Sequence, residues 1–259
     1  MSAATAGRVA LVTGSSGGIG KGIALRLAEA GVAVAVVARK DPKYPGTVEQ
    51  TVDEIRAAGG KAEGFDCDLS VPEQRGALAG QVTGALGPVD ILVNNAAVSV
   101  MRPVAEFSDK HFSLMFDVQV RAPFQLAQSV IPSMRERGRG WIINVSSGAA
   151  NHPMPEAANA YSRTDTVYGM CKAAVERFSS GLAAELYDDR INVNAISPVN
   201  VVPSHGASVH PPAADYLVES PLVMGEAVRY LCDPSSPRIT GRILQSQYVL
   251  LEAGIAVPR

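Results

Sequence analysis

Apolar residues along the chain gather into seven short runs, at 8–13, 32–38, 61–67, 89–95, 140–147, 191–197 and 242–250. Within most of them the apolar content is continuous rather than alternating. A strand with one face in water alternates apolar and polar residues, so continuity predicts strands buried on both faces, as in a parallel sheet. Between the runs, apolar residues at helical spacing predict helices over 18–30, 47–58, 72–86, 109–136, 167–187 and 224–232. Strand and helix take turns along the chain. That order predicts an α/β fold, a doubly wound parallel sheet of about seven strands with right-handed crossovers and helices on both faces. Two stretches break the alternation, 148–165 and 199–222, both rich in Pro, His and small polar residues. Long irregular segments of this kind are expected to be functional loops. No linker divides the chain, so residues 1–259 are expected to form a single domain.

The first run leads straight into TGSSGGIG, Thr13 to Gly20, and then into a helix. Glycines at a strand-to-helix junction are the context of a phosphate-cradling turn. Gly14 permits the tight turn, Gly18 a close approach to a pyrophosphate, and Gly20 close packing of helix on strand. The helix N-terminus offers unpaired N–H groups and partial positive charge to the phosphates. Ser16 and Ile19 lie in the same loop and count with these glycines as candidate cofactor contacts.

Composition narrows the field. The formal net charge of the 259 residues is -2, which disfavours a nucleic-acid partner, because phosphate tracking needs clustered Lys and Arg. Cys67, Cys171 and Cys232 are far apart and show no CxxC spacing, which fits free thiols in a reducing compartment. The N-terminal MSAATAGRVALVTG lacks the basic and apolar regions of a signal peptide. No apolar run approaches the ~18 residues of a membrane span. A soluble, cytoplasmic protein without a membrane partner is expected.

The spacing T-G-x-x-x-G-I-G resembles the short-chain dehydrogenase/reductase family, in its short single-domain branch. The likeness runs from Val9 to about Gly254 and carries further motifs in family order. CDL (67–69) is similar to the family's adenine contact, with Asp68 and Leu69 as the contacting residues. NNAA (94–97) resembles its N-N-A-G motif, which implicates Asn95 and Ala96. INVSS (143–147) carries the position of the catalytic serine, Ser147. YGMCK (168–172) matches the family's Tyr-x-x-x-Lys. The resemblance implies a Rossmann-type dinucleotide-binding and catalytic domain. It also implies a small alcohol or carbonyl as substrate and a homo-oligomer, a dimer or tetramer, built through the helices at 109–136 and 167–187.

The end of the second strand decides between the two nicotinamide cofactors. An acid there binds the ribose 2′-hydroxyl of NAD, whereas a neutral residue with a nearby Arg admits the 2′-phosphate of NADP. Ala38 stands at that position and Arg39 and Lys40 follow. Arg39 is therefore the expected phosphate reader, and NADP(H) is expected in preference to NAD(H).

Tyr168 and Lys172 are four apart, so on a helix they lie on one face. A free phenol titrates at about 10 and is a poor base at neutral pH. A neighbouring ammonium stabilises the phenolate, and Tyr168 can then exchange a proton with the substrate oxygen. By resemblance, Lys172 also holds the nicotinamide ribose, and Ser147 stabilises charge on the substrate oxygen. Ser146 is the weaker serine candidate. Tyr161 is rejected for the phenol role, because its fourth neighbour is Asp165 and a carboxylate raises a phenol's pKa.

Three features depart from the family. Ser147 and Tyr168 are 21 positions apart. That is about eight more than usual, an excess a loop can absorb at small entropic cost. The family's helix-kinking Asn reads Gln119, counted here with the catalytic residues. The Pro-Gly turn after the sixth strand reads Pro198-Val199, and Pro198 is kept as a candidate contact to the nicotinamide end. These departures keep open an alternative, a non-catalytic dinucleotide-binding scaffold or redox sensor. The four histidines, His111, His152, His205 and His210, show no ligand spacing, so no metal is expected. His152, His205 and Tyr216 are candidates to line the substrate pocket.

Overall fold

The structure is a computed structural model that describes residues 7–41, 46–155, 162–203 and 217–258. Seven strands form one sheet: β1 (Val9–Thr13), β2 (Ala33–Ala38), β3 (Ala62–Asp66), β4 (Ile91–Asn94), β5 (Gly140–Val145), β6 (Ile191–Ser197) and β7 (Ile243–Gln245). All are parallel, in the order β3-β2-β1-β4-β5-β6-β7. The chain builds outward from β1 to β3, then returns to the middle of the sheet and builds the other way from β4. The boundary between β1 and β4 is where strand order reverses, and ligands of such sheets bind at the strand C-termini beside it.

Helices cover both faces: α1 (Gly18–Glu29), α2 (Val48–Ala57), α3 (Pro72–Leu86), α4 (Asp109–Phe116), α5 (Ala122–Glu136), α6 (Thr166–Glu185), α7 (Pro221–Leu231) and α8 (Ser246–Glu252). Successive strand residues point to opposite faces. Ala10, Val12, Val34, Val36 and Ile143 therefore pack against α1, α2 and α7. Leu11, Ala35, Leu92, Ile142 and Val193 pack against α3, α5 and α6. Both faces of the central strands are covered, which is why those sequences are largely apolar, while the edge strands β3 and β7 are partly exposed. No helix among the described residues is long and apolar enough to cross a membrane. All three cysteines are buried and free, and burial pushes the Cys67 and Cys171 thiols up to about 11. Such thiols are poor nucleophiles at neutral pH.

Two expected elements need correction. The helix read over 109–136 is α4 and α5 joined by a π-helical segment, Asp117–Arg121, which turns both Val118 and Gln119 into the interior. The run at 242–250, read as a strand, is a three-residue strand followed by α8. Ser246, Val249 and Leu250 are its buried residues, and their spacing is helical. Elsewhere the differences lie at the ends. α2 opens on a capping box in which Thr47 and Gln50 satisfy each other's backbone N–H. α7 begins at Pro221 behind the cap of Ser220, three residues before the expected start.

Candidate functional site

The glycine turn after β1 lies at the strand-order reversal, against the end of β4. Gly14 has φ +65°, and a Cβ there would stand 2.9 Å from the Ala96 Cα. A Cβ on Gly20 would stand 2.3 Å from the Gly14 carbonyl oxygen, so the helix start closes directly on the turn. Side chains lace the turn in place. The Thr13 hydroxyl donates to the Val93 carbonyl (3.3 Å) and accepts from the N–H groups of Asn95 (3.0 Å) and Ala96 (3.1 Å). The Asn95 amide donates to the carbonyls of Thr13 (2.8 Å) and Gly14 (3.0 Å). The Ser15 hydroxyl accepts from Val37 N–H and donates to the Val12 carbonyl, joining β1 to β2. Thr13 opens the T-G-x-x-x-G-I-G spacing and Ser15 fills one of its open positions, but neither is among the expected site residues, because their hydrogen bonds reach to β4 and β2. Gly17 caps α1 without a side-chain hydrogen bond, and the first turn of α1 holds no acid. The amides beside Gly18 and Ile19 are thus not claimed by a capping side chain, which suits an anion. Ser16 lies half-buried in the turn and Ile19 packs partly on the core.

Arg39 follows β2 and Asp68 follows β3, so the parallel pairing of these strands brings them together. The Arg39 guanidinium donates to Asp41 (3.0 Å) and lies 3.7 Å from an Asp68 oxygen. Burial pulls the Asp68 carboxyl upward. Hydrogen bonds from Ser70 and the charge of Arg39 outweigh that and hold it below its ordinary value. Leu69 is buried, and its carbonyl accepts from the buried Arg75 guanidinium, which fixes the turn into α3.

Across the sheet, α6 brings Tyr168 and Lys172 to the end of β5. Lys172 is only 3% exposed. Its ammonium donates to the Val145 carbonyl (2.9 Å) and stands 5.5 Å from the centre of the Tyr168 ring. Burial lowers its pKa to about 8. Ser147 lies two residues past the end of the same strand and caps a 3-10 turn, Gly148–Ala150. That turn packs on α6: a Cβ on Gly169 would stand 2.6 Å from the Ala149 carbonyl oxygen. Ser147 and Tyr168 are thus anchored to one another's elements despite their long separation in sequence. The returning chain is tied down just before α6, where Thr164 accepts from Arg102 N–H (2.9 Å). Ser146 is buried and donates to Glu176 (2.6 Å), which leaves Ser147 as the half-buried serine.

Gln119 is buried in the π segment, against which α6 packs. Its amide nitrogen donates to the Val98 carbonyl (2.9 Å), while its amide oxygen is buried without a protein partner. A second buried relay runs under the strand ends. Asn94 donates to Asn144 (2.8 Å) and Asn144 to Ser179 (2.8 Å) on α6. Asn94 and Asn144 fall within NNAA and INVSS, as polar residues at the ends of apolar strands, but nothing in those motifs announces their pairing. Pro198 lies at the end of β6, whose Ile196 carbonyl accepts from Ser146 N–H (2.8 Å). A cleft of about 380 Å³ opens beside Ser147, lined also by Asn151, Glu176, Ser197, Arg242 and Tyr248. His152 is exposed. Tyr161, His205, His210 and Tyr216 lie outside the described residues. Among the described residues, no group of three His, Cys, Asp or Glu could hold a metal ion.

Comparison with known proteins gives the arrangement its family. The model of the short chain dehydrogenases matches residues 8–211. A short chain dehydrogenase of Pseudocercospora fijiensis is 34% identical, over 93% of this chain and 80% of its own length. A metagenomic short-chain oxidoreductase in complex with NADP superposes with a TM-score of 0.74, at 30% identity, over 93% of this chain and 97% of its own. A 7α-hydroxysteroid dehydrogenase complexed with NADH and 7-oxo glycochenodeoxycholic acid superposes with a TM-score of 0.81, at 29% identity, over 93% of each chain. Fold, motif order and these likenesses agree: the chain belongs to the short-chain dehydrogenase/reductase family of oxidoreductases.

Proposed function

We propose that the protein is an NADP(H)-dependent oxidoreductase that interconverts an alcohol and a carbonyl compound on a Tyr168, Lys172 and Ser147 set. The observation that carries this reading is the buried Lys172 ammonium, held by the Val145 carbonyl and facing the Tyr168 ring. An ammonium is costly to bury. Placed here, it stabilises a phenolate and lets Tyr168 hand a proton to, or take one from, the substrate oxygen. Ser147 donates its hydroxyl hydrogen to the same oxygen as negative charge develops there. The partnerless Gln119 oxygen faces the interior next to α6 and suits an ordered water that links it to Lys172. When bound, the nicotinamide cofactor supplies or accepts the hydride.

The residues fit a dinucleotide. A Cβ on Gly14 or Gly20 would collide with Ala96, Asn95 or the Gly14 carbonyl, so the turn stays tight, and the α1 amides lack a side-chain cap. Gly14, Ser16, Gly18, Ile19 and Gly20 would hold the pyrophosphate, with Asn95 and Ala96 behind them. Asp68 and Leu69 would flank the adenine. Tyr168 and Lys172 would hold the nicotinamide ribose, and Pro198 would meet the nicotinamide end. Arg39 supports NADP(H), because it can recruit a 2′-phosphate in competition with Asp41 and Asp68. We also propose one domain for the whole chain and a homo-oligomer built on α5 and α6.

A panel of aldehydes, ketones and alcohols with NADPH or NADP tests the reading. Tyr168→Phe is expected to lower kcat by about 10²–10⁴-fold, with a much smaller loss of NADPH affinity from the missing ribose contact. Equal turnover by the Tyr168→Phe variant would overturn the assignment.

A further inference from the structure

Glu219 is a buried carboxylate, 5% exposed, that the site described above does not use. Four donors converge on it. Its Oε2 accepts from the backbone N–H groups of Val199 (3.2 Å) and Asn200 (3.1 Å) and from the Gln247 amide (2.8 Å). Its Oε1 accepts from the Ser246 hydroxyl (2.8 Å). Val199 and Asn200 form the turn after Pro198, and Ser246 and Gln247 open α8. Two successive backbone N–H groups aimed at one oxygen make an anion nest, which this chain fills with its own carboxylate. Backbone bonds add to the tie: Val201 N–H donates to Leu217, and Glu219 N–H donates to Val201. Among the described non-glycine residues only Arg190 has a positive φ, so Val199 turns the chain without a left-handed conformation. An outside acceptor, rather than a glycine's freedom, holds the turn.

The turn lies beside the reacting residues and far from the proposed phosphate reader. Ser146, one residue before Ser147, is bonded to β6 two residues before Pro198. Arg39 stands at the end of β2, four strands away in the sheet, or about 19 Å at ~4.8 Å per strand. A disturbance at Glu219 therefore acts on one end of a bound dinucleotide and spares the other.

We propose that Glu219 is a positioning residue, whose carboxylate fixes the Pro198–Asn200 turn in the geometry that meets the nicotinamide end of the cofactor. The inference rests on the NADP(H) reading above. It is tested by calorimetric titration of NADPH, and of 2′-phospho-ADP-ribose, which lacks the nicotinamide, into three proteins: wild type, Glu219→Met and Glu219→Gln.

Glu219→Met keeps the bulk and removes the acceptors. It is expected to weaken NADPH about tenfold and 2′-phospho-ADP-ribose less than about twofold. In Glu219→Gln the amide oxygen can take the three donors while the NH₂ donates to Ser246, whose hydroxyl can turn to accept. Its NADPH affinity is expected to stay near wild type. Equal loss of both ligands in Glu219→Met, or no loss of NADPH, would overturn the inference. If Glu219→Met does not fold, Gln247→Leu removes one donor. The same selectivity at about threefold is then expected, and its absence overturns the inference. Wild-type protein that binds neither ligand would overturn the cofactor reading beneath, and this inference with it.

Discussion

In the proposed mechanism Lys172 sets the pH behaviour of the site. Burial lowers its pKa from 10.5 to about 8, so the folded protein loses this charge in a range where the unfolded chain keeps it. Between those values the unfolded chain binds more protons, and stability therefore rises with pH across that window. Urea melts are expected to show this rise between about pH 8 and 9 in the wild type and its absence in Lys172→Met; above about 9 the buried Cys67 and Cys171 thiols, raised to about 11, oppose it. In the reductive direction, kcat/KM is expected to fall as pH climbs through about 8, because a neutral Lys172 no longer stabilises a phenolate at Tyr168. A flat profile well above that pH would contradict the role given to the ammonium. At the other end of the site, Arg39→Leu is expected to raise the Kd for NADPH by about 10–100-fold while leaving NADH unchanged, as calorimetry can read. Tyr168, Lys172, Ser147 and Arg39 were legible as motifs, because their chemistry depends on local spacing or on one strand end. Thr13 and Asn144 lie within the quoted motifs, but their roles, like those of Ser15 and Glu219, were not legible. Their partners lie on distant segments, and no local spacing announces such pairs.

Elements carry these residues into register. The long separation of Ser147 and Tyr168 matters little, since the 3-10 turn after β5 packs directly on the first turn of α6. Gly169 is the contact. Gly169→Val sets a branched side chain against the Ala149 carbonyl and pushes turn and helix apart. It is expected to cost about 1–3 kcal/mol in stability by urea denaturation. It is also expected to lower kcat, with a smaller loss of NADPH affinity. A variant with unchanged kcat would show that the contact does not set the alignment of Ser147 with Tyr168. The central strands were legible because burial on both faces leaves nearly continuous apolar runs, as in β1 and β2. The π segment was not, because one inserted residue hardly disturbs helical periodicity over 109–136. The last run was misread for a related reason: Ile243–Gln245 continues into a helix whose short apolar spacing fits either period.

At the scale of the molecule, parallel pairing gathers the strand C-termini at one edge of the sheet, and every proposed contact lies there. α5 and α6 leave apolar side chains outside, with Phe124 51% and Met170 47% exposed and Phe124 edge-on to Phe178. Light scattering is expected to find a dimer or tetramer, and Phe124→Glu is expected to shift it towards monomer by burying a charge at the contact. A wild-type monomer at micromolar concentration would remove that expectation. The central claim is the use of NADP(H) by this strand-end site, and direct titration tests it best. Trp141, the single tryptophan, sits near the start of β5 beneath Arg8, a strand's length from Ser147, so calorimetry reads binding more directly than its emission. NADPH is expected to bind the wild-type protein at least about tenfold more tightly than NADH. Tighter binding of NADH, or binding of neither, would contradict it.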